Sequence, residues 1–296
     1  MLQKGYVRGA NQNKNPTATM LKLTKRQINQ KLVPHISKGK RGPSCKVGLW
    51  RIVRAILYRL KTGTQWRELP LRSLFGRHTI SWQSVFYYFA KWSKDGSWYR
   101  LWTITLDLNR QSLDMSSVEL DGSHTPTKRG GEQVGYQGRK KAKTTNMLFL
   151  TDRQGLPLGC SEPVSGQHND LFDIQKSVSK LISTLNQANL CVEGLFLNAD
   201  AGFDAQILRR ICDQYGIIPN LAINKRNAAN LDKLEYLFDT ELYKERFVVE
   251  RTNAWIDGFK NLLVRYETNA KHWLGLHYLA FSVILLRKVA GWHKKL

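Results

Sequence analysis

With 296 residues and 42% hydrophobic side chains, the chain is long enough to bury a sizeable core in one large domain or two modest ones. Its 46 Lys and Arg against 23 Asp and Glu leave a formal net charge of +23, which points to a polyanionic partner. The basic residues run through a periodic, aromatic-rich chain and are not gathered in a tail, which argues against ribosomal or membrane-surface adhesion. Cys45, Cys160, Cys191 and Cys212 lack C-x-x-C spacing, which argues against a zinc site or disulfide frame and suits a cytoplasmic location.

Residues 1–45 read as a basic, disordered segment; no apolar run of the signal-peptide kind opens the chain, and Met20 is a second candidate start. Residues 46–112 read as a helical DNA-binding domain. Leu49, Trp50, Val53, Ile56, Leu57 and Leu60 mark an amphipathic helix carrying Arg51, Arg54 and Arg59, stopped at Gly63. Ser81 or Thr79 is placed to cap a second helix with Val85, Phe86, Phe89 and Trp92 on its buried side, and a third spans about Trp98 to Leu106. Three short helices with exposed arginines fit a helix-turn-helix-like module.

Residues 113–296 change texture to β/α alternation. Ser117 to Asp121 is a short strand ending in a carboxylate, with DGSH as a turn that leaves His124 in an exposed loop. KRGGEQVGYQGRKKAK then sets Arg139, Lys140 and Lys141 among glycines without the G-K-[ST] of a nucleotide loop. That pattern suits a mobile basic hairpin for phosphate contacts. Strands are expected at Thr145–Thr151 and Leu156–Val164, followed by a helix opened by His168, Asn169 and Asp170. Val192 to Leu197 reads as a buried parallel strand with Asp200 just past its end, and Ile217 to Ile223 as the fifth strand. Leu274 to Val289 is too short and too polar for a membrane span and reads as a core helix.

One stretch organises the rest. Across Tyr243 to Asn261, Val248, Val249, Trp255, Ile256, Phe259, Leu262 and Leu263 fall on one side of a helix. Tyr243, Arg246, Glu250, Asn253 and Asp257 fall on the other. Asp121 and Asp200 at two strand ends, with Glu250 on this helix, make three hard oxygen ligands suited to Mg²⁺, with Mn²⁺ able to substitute. Two such ions activate a water or a 3′-hydroxyl and stabilise the leaving oxygen of an in-line phosphoryl transfer. Asp204 and Glu193 are rival ligands, and Asp121 or Asp200 alone is more often a turn former or helix cap than a ligand.

VELDGSH, FLNADAGFD and YKERFVVERTNAW, in that order, resemble the DDE transposases of bacterial insertion sequences of the insertion element four and five types. GTQWRELP, FAKWSKDGSWYRLW and SGQHND are similar to further landmarks of that family, and the resemblance covers about residues 45–290. It implies an α/β fold: an RNase H-like mixed five-stranded sheet flanked by helices, behind a small all-α helix-turn-helix-like domain. It also implies a transposase that binds double-stranded terminal inverted repeats and catalyses metal-dependent strand cleavage and strand transfer, as a homodimer in the working complex. Asp121, Asp200 and Glu250 become its metal ligands. The family signature of Tyr, two residues, Arg, three residues, Glu, six residues, Lys is met at Tyr243, Arg246 and Glu250, which gives Tyr243 and Arg246 the role of holding a phosphate. Asp257 stands where the lysine is expected, so Lys260 or Arg251 is left to supply that DNA contact. The competing readings are a nuclease that cuts without joining and an inactive or domesticated DNA-binding protein.

Overall fold

The first turns of the fold lie earlier than the sequence pattern places them. In the computed structural model, which describes residues 23–39, 47–76, 80–224 and 238–292, residues 25–35 are already helical. The segment is held by burial of Leu23, Ile28, Leu32 and Ile36, and Trp92 donates its indole N–H to Ser37 O at 2.8 Å. The expectation of a disordered stretch up to residue 45 is therefore corrected for 23–39. Residues 1–22, Cys45 and Thr79 lie outside the described residues.

Three longer helices follow: α1 (Leu49–Thr62), α2 (Trp82–Lys94) and α3 (Ser97–Leu108). Gly63 ends α1 in the left-handed conformation (φ 72°), and Ser81 caps α2 by accepting from Ser84 N–H at 3.3 Å. Arg59, expected to be exposed, is buried at 5% exposure in an ion pair with Glu267 at 2.7 Å. Its position, one helical turn beyond Ala55 and Ile56, puts it on the apolar side of α1.

The sheet contains β1 (Ser117–Pro126), β2 (Gly135–Gln137), β3 (Ala142–Asp152), β4 (Pro157–Cys160), β5 (Val164–Ser165), β6 (Phe196–Ala199) and β7 (Ile218–Leu221). Its order is β2-β3-β1-β6-β7, with β4 and β5 also on β3. β1 and β3 are antiparallel, whereas β1, β6 and β7 are parallel. This is the antiparallel-then-parallel mixed sheet of the RNase H-like fold. Seven strands form where five are expected, because the hairpin arm Gly135–Gln137 pairs with β3 and the Leu156–Val164 stretch is divided at residues 161–163.

β1 also runs five residues past Asp121. Continuous pairing from Val118↔Asp152 to Pro126↔Thr144 draws the expected turn DGSH into the strand, and His124 becomes buried. Ring contacts of Phe149 with His277 (5.6 Å) and Phe281 (6.0 Å) place the long helix α9 (Ala270–Trp292) on the sheet face that carries Asp121. α4 (Ile174–Gln187) covers the opposite face, where Leu181 lies against Gly159, and α5 (Gln206–Gln214) packs beside it. α9 is long and apolar enough to cross a membrane, yet most of it is buried inside the molecule. It packs on α2 and α3 as well as on the sheet, so helical region and sheet share one core.

The Tyr243–Asn261 stretch forms pieces, not one helix: α6 (Thr240–Lys244), a 3₁₀ turn Glu245–Phe247, α7 (Val248–Asp257) and α8 (Lys260–Leu263). Asp239 caps α6 by accepting from Leu242 N–H at 2.9 Å. The buried side of α7 is Val249, Thr252 and Ile256, while Trp255 is half-buried under the Lys288 ammonium at 3.8 Å.

Candidate active site

Parallel pairing in register brings the first two carboxylates together. Leu120 lies opposite Ala199, so the next residues, Asp121 and Asp200, stand side by side where β6 ends, on adjacent strands about 4.8 Å apart. Side chains alternate along a strand, so Glu119 shares the face of Asp121, and Asn198 that of Asp200. The sequence says this in two short words, ELD and NAD, with a polar residue two before each aspartate. Glu119 and Asn198 are not among the site residues expected from the sequence.

Glu119 and Asn198 build a buried polar ladder. Asn198 Nδ2 donates to Glu119 Oε1 at 2.9 Å, and Asn220 Nδ2 donates to Asn198 Oδ1 at 2.7 Å. Asn220 closes a two-bond contact with the backbone of Asp239: its Nδ2 donates to Asp239 O at 3.0 Å, and Asp239 N–H donates to its Oδ1 at 2.8 Å. The ladder thereby ties the start of α6 to the sheet and seats Tyr243 and Arg246 over the strand ends.

Arg246 is the cation that reaches this face. Burial pushes the Asp121 carboxyl up to about 6; the Gly122 N–H and the Arg246 guanidinium pull it back, while Asp200 and Asp170 add to the push. Burial likewise pushes Glu119 up to about 7, against the Asn198 and Ser117 hydrogen bonds and Arg246. Glu119 is fully buried, and its Oε2 has no hydrogen-bond partner among the described residues. The Arg246 guanidinium also lies 5.5 Å from the Tyr243 ring centroid.

Asp170 closes the site from the far side, and helix initiation does not account for it. α4 begins only at Ile174, and Asp170 instead accepts from Asn146 Nδ2 at 2.7 Å. A Cβ on residue 122 would lie 2.2 Å from Asp170 Oδ1, so the glycine after Asp121 is what lets this carboxylate approach the strand. His124 joins the cluster with Nδ1 at 3.2 Å from Thr144 Oγ1 and Nε2 at 3.9 Å from Asp170.

Glu250 lies on α7, four residues beyond Arg246 and so on the same side of the helical segment; it is exposed. Among the described residues no three His, Cys, Asp or Glu side chains stand close enough together to hold a metal ion. The structure thus joins Asp121 to Asp200, with Arg246 beside them, and leaves Glu250 at the rim. Of the three expected oxygen donors, the described residues bring two together, Asp121 and Asp200, and carboxylate oxygens are the donor type of a hard divalent cation. Burial pushes the Asp121 carboxyl up, a cost that a bound cation would offset, and among the described residues the Arg246 guanidinium pulls it back. Asp204 is committed elsewhere, in a buried ion pair with Arg209 at 2.7 Å, and Glu193 is exposed near Gly216.

The expected DNA contacts divide into two groups. Arg139, Lys140 and Lys141 are exposed at the β2–β3 turn, where Lys140 Nζ donates to His124 O at 2.9 Å and holds the turn close to the end of β1. Arg251 is exposed and donates to Gln154 O at 3.2 Å; Lys260 is exposed at the start of α8. Asp257, in the place of the family lysine, is exposed at the last turn of α7, and partial burial pushes its carboxyl up.

A family profile described as DDE superfamily endonuclease matches residues 120–283, more than half of the chain, and one described as the transposase of IS4/5 family matches residues 26–102. No curated protein matches the chain. Among solved structures, that of a pre-cleavage Mos1 transpososome is similar at 12% identity and a TM-score of 0.29, covering 85% of this chain and 81% of that one. The Mos1 strand transfer complex is similar at 12% identity and a TM-score of 0.29, covering 96% and 98%. The Mos1 mariner paired end complex with Mn stands at 14% identity and a TM-score of 0.28, covering 92% and 96%. Likeness at this level assigns no residue.

Proposed function

The chain belongs to the DDE superfamily of endonucleases, as a transposase of the IS4/5 type, and on that premise we propose that Asp121, Asp200 and Glu250 are its catalytic metal ligands. The observation that supports this reading is the parallel pairing of Leu120 with Ala199, which leaves Asp121 and Asp200 one residue on beside each other, near Arg246 in the turn before α7 and with Glu250 on α7. The superfamily works with a divalent metal, and the oxygen donors favour Mg²⁺ with Mn²⁺ as substitute. When bound, two such ions supply Lewis-acid activation of the attacking oxygen and neutralise the leaving one.

The chain's own residues do the rest. Arg246, a planar fork beside Asp121, grips the phosphate next to the scissile bond, and Tyr243 packs against its guanidinium. Arg139, Lys140 and Lys141 run the duplex backbone past the end of β1, with Lys260 and Arg251 as further phosphate contacts. The N-terminal helices recognise the terminal inverted repeat. Water first cuts the strand at the element end, and the released 3′-hydroxyl then attacks target DNA, with two ends held by two copies of the chain.

The test is cleavage and joining of a duplex bearing the inverted repeats that flank the gene, with Mg²⁺ supplied. Asp121→Ala, Asp200→Ala and Glu250→Ala are each expected to lower both steps by about 10³-fold or more while leaving duplex binding within about twofold. Cleavage at the wild-type rate in all three variants overturns the assignment. Cleavage without joining identifies a cut-only nuclease.

A further inference from the structure

Of the longer N-terminal helices, α1 and α3 have little outward surface to offer. The basic side chains of α1 are buried or half-buried: Arg59 pairs with Glu267, Arg51 Nη1 donates to Phe75 O at 3.2 Å, and Lys61 Nζ donates to Gly258 O. On α3 only Arg100 and Leu108 are exposed, and Arg100 Nε donates to His35 O at 3.2 Å.

α2 has an open side. Val85, Phe89 and Trp92 are buried, and on the opposite side Gln83, Tyr87 and Lys94 are exposed, with half-buried Ala90 between them. Steps of four, three and four residues set these four in one stripe along the helix, and the stripe carries no acid. Gln83, Tyr87 and Lys94 make no side-chain hydrogen bond among the described residues, and Tyr87 is 61% exposed. Cations stand at both ends of the helix. At its start the exposed Arg67 lies 5.5 Å from the Trp82 ring centroid and lines a cleft together with the exposed Arg129. At its end Lys91 Nζ donates to Lys38 O at 2.9 Å, which holds the exposed Lys38 beside the last turn, while Asp95 is taken up by the Ser37 and Ser97 hydroxyls.

We infer that α2 is the helix that reads the terminal repeat, lying in the major groove with Gln83 and Tyr87 on base edges and with Arg67, Lys38 and Lys94 on the flanking phosphates. The stripe from Gln83 to Lys94 is about 16 Å long, and a major groove about 12 Å wide admits a helix. A glutamine makes a two-bond match to adenine N6 and N7, and the Tyr87 ring and Ala90 methyl offer apolar contact to a thymine methyl. Those contacts carry sequence information that cations on phosphates do not. Arg129 continues the phosphate track from the start of α2 toward the basic β2–β3 turn. The inference rests on the reading of the chain as a repeat-binding transposase and adds which helix and which side chains set its specificity; it is independent of the metal ligands.

The experiment is equilibrium binding by the full chain in EDTA at physiological salt, to a duplex carrying the inverted repeat that flanks the gene and to a scrambled duplex of equal length and composition. The wild type is expected to prefer the repeat by about 10³-fold. Gln83→Ala and Tyr87→Ala are each expected to lower that ratio about tenfold, whereas Arg67→Ala weakens both duplexes alike and keeps it. Gln83 and Tyr87 are exposed, so these variants keep the fold, and the ratio cancels any general loss of active protein. A wild type without preference overturns the reading of the chain as a repeat binder, and this inference with it. A preference that the Gln83→Ala/Tyr87→Ala double variant keeps, or that Arg67→Ala lowers as far, overturns this inference alone; loss of self-association by the double variant in sedimentation would then give the α2 face to a second copy of the chain.

Discussion

His277 shows what burial does to a titratable group here. Enclosed on α9 among Phe149, Trp273 and Phe281, it is pushed down to about 4 by burial. Its folded value lies below the ordinary 6.5, so its contribution to stability is complete above pH 6.5 and is lost as pH falls toward 4. From pH 7 to pH 5 the loss is about 2 kcal/mol. His277→Phe keeps an aromatic in place and is expected to remove most of that slope in urea titrations at the two pH values; equal slopes in variant and wild type refute the claim. Arg246 is the second residue whose chemistry is specific. Arg246→Lys keeps the charge beside Asp121 and loses the fork, so single-turnover cleavage should fall about tenfold or more. A rate within twofold of wild type would show that charge alone suffices.

Among elements, the polar ladder and one turn decide where the α6–α7 segment sits. Asn220→Ala removes both bonds to the Asp239 backbone and strands Asn198 Oδ1, at an expected cost of about 2–4 kcal/mol in unfolding free energy. Amide exchange should rise first across residues 239–247, and uniform exchange would mean that the ladder does not anchor α6. Gly155, in the turn between β3 and β4, has φ 79°, and a Cβ there would lie 2.7 Å from Val248 O at the start of α7. Gly155→Ala should therefore cost about 1–3 kcal/mol and displace α7 with Glu250, read as lost cleavage with duplex binding retained. This geometry was only partly legible beforehand. The two strands that carry Asp121 and lead to Asp200 could be read because short apolar runs precede each carboxylate, and β6 does stop at Ala199. The extension of β1 through Pro126 could not, because DGSH is locally a good turn and only its pairing with β3 overrides that preference. Likewise His168–Asp170 has the composition of a helix start, and what moves Asp170 to the Gly122 side is a tertiary hydrogen bond to Asn146.

For the whole molecule, the net charge of +23 makes duplex affinity steeply salt-dependent. Replacing Arg139, Lys140 and Lys141 together by alanine is expected to reduce the slope of log K against log salt by about 2–3, measured by anisotropy over a salt series. An unchanged slope would mean that the β2–β3 turn does not touch the backbone. Composition made the polyanion legible, and the resemblance supplied the fold class; the division at residue 112 was the part that sequence alone overstated. α9 is the reason: it buries Trp273, Leu276, Leu279 and Phe281 between the sheet and the helices α2 and α3. One consequence concerns synthesis. The helices that end at Leu108 leave the ribosome long before Ala270 is made, so their apolar faces wait on a nascent chain without their main partner. Non-local closure of this kind delays folding until translation has passed Trp292, and a truncated product ending before Ala270 is expected to be captured by chaperones or proteases before it can occupy DNA.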